Sequence, residues 1–111
     1  MIRSKLLVVF LFLTPALHLA GAGPSQADER SVRRGKAIAI NKCSHCHSIR
    51  RVGRSPRADA PAFRTLHKQY PVESLEDTLA EGMSTGHPRM PEFRLDPTQV
   101  GDFISFLKSL E

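Results

Sequence analysis

The sequence predicts a small all-α domain, and three observations predict it. Three stretches carry apolar residues at intervals of three and four behind plausible capping residues. No stretch alternates apolar and polar residues as a half-buried strand does. The prolines fall at the starts of the periodic stretches or between them. With 111 residues the chain has room for one such domain.

The N-terminus is not part of that domain. Arg3 and Lys5 precede an apolar run from Leu6 to Leu13, followed by Thr14, Pro15 and a small-residue stretch. This is the layout of an export leader: charged start, apolar middle, small-residue exit. Residues 1–22 are therefore read as a signal peptide cut after Ala22, with a second small-x-small site after Ala27. An uncleaved membrane anchor is the alternative, but a spanning helix wants about 20 apolar residues, and Thr14, Pro15 and His18 interrupt the run early. No membrane span is expected after cleavage. Losing Arg3 and Lys5 leaves 14 basic against 11 acidic residues, so the formal charge falls from +5 to +3. Nucleic acid is a poor partner for an exported chain with no Trp, one Tyr and no interleaving of aromatic and basic residues.

Residues 23–28 read as a flexible lead-in and 29–111 as the domain. In "DERSVRRGKAIAINKC" Val32, Gly35, Ala39 and Cys43 share one helical face, with Asp28 as the expected N-cap and Glu29 in the first turn. A mid-helix glycine costs about 1 kcal/mol against Ala, so Gly35 needs a reason, and close approach of another helix is the natural one. Residues 48–58 read as a loop with four arginines, Arg50, Arg51, Arg54 and Arg57. A short helix is expected from Pro61, with Phe63 and Leu66 inward. Another should follow Pro71, with Val72, Leu75 and Leu79 on one face and Gly82 as its stop. "MSTGHPRMPEFRL" is expected to be irregular. The last helix has Asp96 as cap, Pro97 at its first position and Gln99 three after the cap. Val100, Phe103, Ile104, Leu107 and Leu110 form its apolar stripe.

The chemistry sits in "CSHCH", Cys43 to His47, which holds the chain's two cysteines. A zinc site would need four ligands, and no second Cys pair exists. A thioredoxin-like site expects a strand before it. A disulfide here would close a tiny loop and staple almost nothing. Cys-x-x-Cys-His has a further meaning that uses His47 as well: two thioethers to the vinyl groups of one haem, with the adjacent histidine as axial ligand. His45 is then a solvent-facing spacer. A large apolar cofactor also supplies the filling that so small a domain lacks. For the second axial position Met90, in a loop stiffened by Pro88 and Pro91, is the best candidate. A thioether is soft and neutral and raises the potential relative to a second imidazole. His87 is the competing ligand, and Met83, after a helix end, suits ordinary packing.

These residues resemble the class I c-type cytochromes, especially small bacterial periplasmic monohaem ones, over about residues 29–111. The resemblance implies the cytochrome c fold, with crossing N- and C-terminal helices wrapped around one covalent haem c. It implies Cys43 and Cys46 as attachment points, His47 as proximal ligand and Met90, beside Pro91, as distal ligand. It also implies that the Pro61 carbonyl accepts the other N–H of His47, and that Gly35 packs against Phe103 and Phe106. The chain departs from the family at Ala39 and Phe106, where an aromatic and a tyrosine are common. It has no Trp for the haem propionates; Tyr70 or a loop arginine could serve.

The expected function is a periplasmic, monomeric carrier of single electrons between protein partners, not an enzyme. The arginine loop offers a rim for acidic docking surfaces, though an ordinary solvated loop explains it equally well. The competing function is a haem sensor or peroxidase-like domain with an open distal site. An electron-entry subunit of a larger dehydrogenase or oxidase would have the same sequence features.

Overall fold

The computed structural model describes residues 21, 23, 25–82 and 89–111; the apolar run of the leader, Ala22, Met83 and His87 lie outside them. The elements are α1 (Gln26–Lys42), a 3₁₀ turn (Phe63–Lys68), a second 3₁₀ turn (Val72–Leu75) that runs into α2 (Glu76–Glu81), and α3 (Pro97–Lys108). Among the described residues there is no strand, and the all-α expectation holds.

The start of α1 corrects the sequence reading. Its N-cap is Ser25, not Asp28. The Ser25 hydroxyl accepts from the Asp28 amide at 3.2 Å, and the Asp28 carboxylate accepts from the Ser25 amide at 3.2 Å. An acid at the third helical position of such a box looks, in sequence, like a cap itself. Residues 26–28 are thus helix rather than lead-in. In α3 the expected box forms: the Gln99 amide donates to Asp96 at 2.9 Å, and the Asp96 amide donates to the Gln99 side chain at 3.1 Å.

α1 and α3 cross at Gly35. A Cβ placed on Gly35 would overlap the Asp102 carbonyl and lie 2.7 Å from Phe106 Cβ. The partner expected from sequence was the aromatic pair Phe103 and Phe106; the contact is made by the α3 backbone and the root of Phe106. Beside it Asp102 is buried, at 5% exposure. Its carboxylate accepts from Arg34 Nε at 2.6 Å, Arg34 Nη2 at 2.8 Å and the Ser31 hydroxyl at 2.7 Å. A charge this close to the core is tolerable because its lone pairs are occupied.

The predicted stripe of α3 is buried throughout: Val100, Phe103, Ile104, Leu107 and Leu110. Val72 and Leu79 join it from the middle of the chain, both fully enclosed; each such burial contributes about 1.5–3 kcal/mol. α2 ends at Gly82, whose φ of +117° lies where side chains are strained. After residue 88 the chain returns beside α2, and the Leu95 amide donates to the Leu79 carbonyl at 2.9 Å. No helix of the described residues is long and apolar enough to cross a membrane.

Candidate functional site

α1 does not stop before the cysteines so much as tighten through them. The Cys43 amide still donates to Ala39 at 2.9 Å. The Cys43 carbonyl then accepts from Cys46 at 3.1 Å and from His47 at 2.9 Å. This last turn puts Cys43, Cys46 and His47 on one wall of a cavity of about 500 Å³. Cys43 is buried and Cys46 half-buried, and they are not bonded to each other. Burial pushes the Cys43 thiol up to about 11, so it stays neutral. His45 is exposed, at the cavity's rim.

The His47 ring is fixed from two sides. Its Nδ1 lies 2.8 Å from the Pro61 carbonyl oxygen, which makes Nδ1–H the donor and leaves Nε2 with its lone pair. Its face leans on Phe63 with ring centroids 5.1 Å apart, and Phe63 meets Phe103 edge-on at 5.9 Å. The loop between holds this arrangement: the Phe63 amide donates to Ser48 at 2.9 Å, and the Arg57 amide donates to Cys46 at 3.1 Å. Met90, Pro91 and Phe93 also line the cavity, as do Phe103 and Leu107 of α3. Tyr70 also reaches the cavity.

A Cys-x-x-Cys-His turn and a Met-Pro stretch that lie far apart in the sequence thus border one apolar space. A family model described as cytochrome c matches residues 32–111. The chain belongs to the cytochrome c family. Cytochrome c-552 of Bradyrhizobium diazoefficiens is a similar protein, 28% identical over 102 residues, covering 85% of this chain and 96% of that one. No solved structure matches the chain significantly.

Members of the cytochrome c family carry one covalently bound haem c, so the chain is an electron-carrying haem protein rather than an enzyme. The residues present fit that group. The cavity is apolar, two thiols line it, and one imidazole has its Nδ1 committed to the Pro61 carbonyl and its Nε2 available. Among the described residues no cluster of three or more His, Cys, Asp or Glu assembles that could hold a metal ion.

The arginine loop is less uniform than the sequence implied. Arg57 lines the cavity. Arg51 donates instead to the Ser109 carbonyl just beyond α3. Arg50 and Arg54 are exposed and do not border the cavity. Sequence reasoning passed over Lys42, Asp59 and Arg89, which stand at the cavity with Arg57. Nothing local marks them, since each is an ordinary charged residue until the chain folds.

Proposed function

We propose that Cys43 and Cys46 hold the haem through thioethers, that His47 and Met90 are its axial ligands, and that the chain is an exported, monomeric carrier between redox proteins. The observation that carries this reading is the meeting of all four side chains at one apolar cavity. Bound haem supplies a one-electron couple, and the residues around it do the rest. The Pro61 carbonyl sets the tautomer and angle of His47 through the bond at Nδ1. Phe63, Phe103 and Leu107 keep water from the site, which favours the less charged, reduced state. Keeping both ligands in both oxidation states leaves little to rearrange per electron, and leaves no open position for a small substrate.

Export is the reading of the leader, and the cap of α1 supports cleavage after Ala22 over cleavage after Ala27. A cut after Ala27 would remove Ser25 and with it the cap of α1. The mature N-terminus should therefore be Gly23. Docking is expected at the cavity mouth, where Lys42, Arg57 and Arg89 stand, so reduction by an acidic protein should slow as salt rises.

The test of attachment is extraction of the matured protein with acid acetone. The pigment should stay with the chain, and should be released from a Cys43→Ala/Cys46→Ala double variant. Release from the unaltered protein would contradict the reading. Carbon monoxide should bind the reduced protein slowly; immediate binding would favour the open distal site.

A further inference from the structure

We infer that Asp59 is a positioning residue that latches the Met90 stretch across the mouth of the cavity. The inference rests on the reading that Met90 is an iron ligand. The Asp59 carboxylate lies 3.2 Å from Arg57 Nε and 3.3 Å from Arg57 Nη2. Its Oδ2 also lies 4.0 Å from Arg89 Nη1. Arg57 belongs to the loop that follows the attachment turn, and its amide is tied to the Cys46 carbonyl at 3.1 Å. Arg89 directly precedes Met90. All three charged residues border the cavity together with Met90. One carboxylate therefore joins the wall that carries the cysteines to the wall that carries the methionine.

The latch sits where the chain has few other ties. On one side of Met90 the next backbone anchor is the Leu95 amide on Leu79. Among the described residues, the remaining charged contact of this stretch is Lys42, whose Nζ is 6.0 Å from the Phe93 ring centre. Met90 and Phe93 pack half-buried against the core while residues 89, 91, 92 and 94 are exposed; a segment so shallowly held opens at low cost, and a weak interaction then changes how often it is open. Exposed ion pairs are weak and salt-sensitive, so losing this one should raise the open fraction about two- to five-fold, not abolish closure. Arg57 fixes the carboxylate, and the carboxylate catches Arg89; the order matters because the Arg57 pair is the closer one.

Imidazole binding to the oxidised holoprotein reads the open fraction, because imidazole takes the iron only when the thioether leaves. Asp59→Asn and Arg89→Gln should each raise the apparent imidazole affinity about two- to five-fold. The double variant should go no further than either single one. High salt should raise the affinity of the unaltered protein and leave Asp59→Asn unchanged, while Lys36→Gln, an exposed position that does not line the cavity, should behave as the unaltered protein does. The absorption band of thioether-ligated ferric haem is followed in parallel, with Met90→Ala. If that band is lost in Met90→Ala but Asp59→Asn binds imidazole as the unaltered protein does, the latch is overturned and the ligand stands. An effect of Arg89→Gln without one of Asp59→Asn would assign Arg89 to another anion, such as a haem carboxylate, and also overturns the latch. A band that survives Met90→Ala overturns both readings.

Discussion

At the α1–α3 crossing a glycine touches a backbone carbonyl and a buried aspartate accepts three side-chain hydrogen bonds. Along residues 89–94, by contrast, the chain is largely exposed: Met90 and Phe93 are half-buried against the core, and the polar ties among the described residues are one ion pair, one cation–aromatic contact and, at Leu95, one backbone bond. The first region presents the attachment turn and His47; the second presents Met90. The difference teaches how the two proposed ligands divide their tasks. The crossing is built to tolerances that a single methyl group would violate, so on the proposed ligation the covalent anchor and the imidazole stay put. The Met90 stretch has polar ties that salt or one substitution can tune, so on the proposed ligation ligand retention and potential are adjustable there without disturbing the fold.

The comparison breaks most severely at Gly35. In Gly35→Val the new side chain meets the backbone of α3, which cannot rotate away, and overpacking here should cost about 3 kcal/mol. Chemical denaturation of the holoprotein, or failure to accumulate it, is the readout. Asp102→Asn should come next, at about 2 kcal/mol, from loss of charge-assisted hydrogen bonds. The Arg34 guanidinium, helped by Ser31, holds the Asp102 carboxyl below its usual range against the cost of burial. A carboxyl depressed in the folded state stabilises it above the unfolded value near 4 and ceases to do so as pH falls through the folded value. The stability gap between the two proteins should therefore be flat from neutral pH to about 5 and close in acid below about 4.

Gly82→Ala probes the other region. A side chain at φ +117° is strained by about 1–2 kcal/mol. The strain falls where α2 hands over to the methionine-bearing stretch, so thermal stability should drop modestly and imidazole should bind more readily. The smallest effect is expected at Val52, which is 69% exposed on the arginine loop. Val52→Ser should change stability by less than about 0.5 kcal/mol, measured by the same denaturation curves.

How far the molecule was legible in its sequence follows the same division. The Asp96–Gln99 box and the stripe of α3 are local patterns, and both form as read. Cys43, Cys46 and His47 are contiguous, and Gly35 announced a close approach because a mid-helix glycine is otherwise a cost. The start of α1 was misread because Asp28, the reciprocal member of a capping box, imitates a cap. Asp102 reads as an ordinary polar residue beside the apolar stripe, and its partner Arg34 lies 68 residues away in the sequence. Asp59 and Arg89 are likewise joined only by the fold. Four arginines in one loop looked like one feature, whereas the structure gives Arg51 and Arg57 different structural tasks. Pairings between distant charged residues leave no mark in a single sequence.

The arrangement as a whole is tested most directly by the visible spectrum of the oxidised, matured protein beside that of Met90→Ala. The weak long-wavelength band of thioether-to-iron charge transfer should be present in the first and absent in the second, with the pigment still attached in both. No such band in the unaltered protein, or one that persists without Met90, would contradict the account.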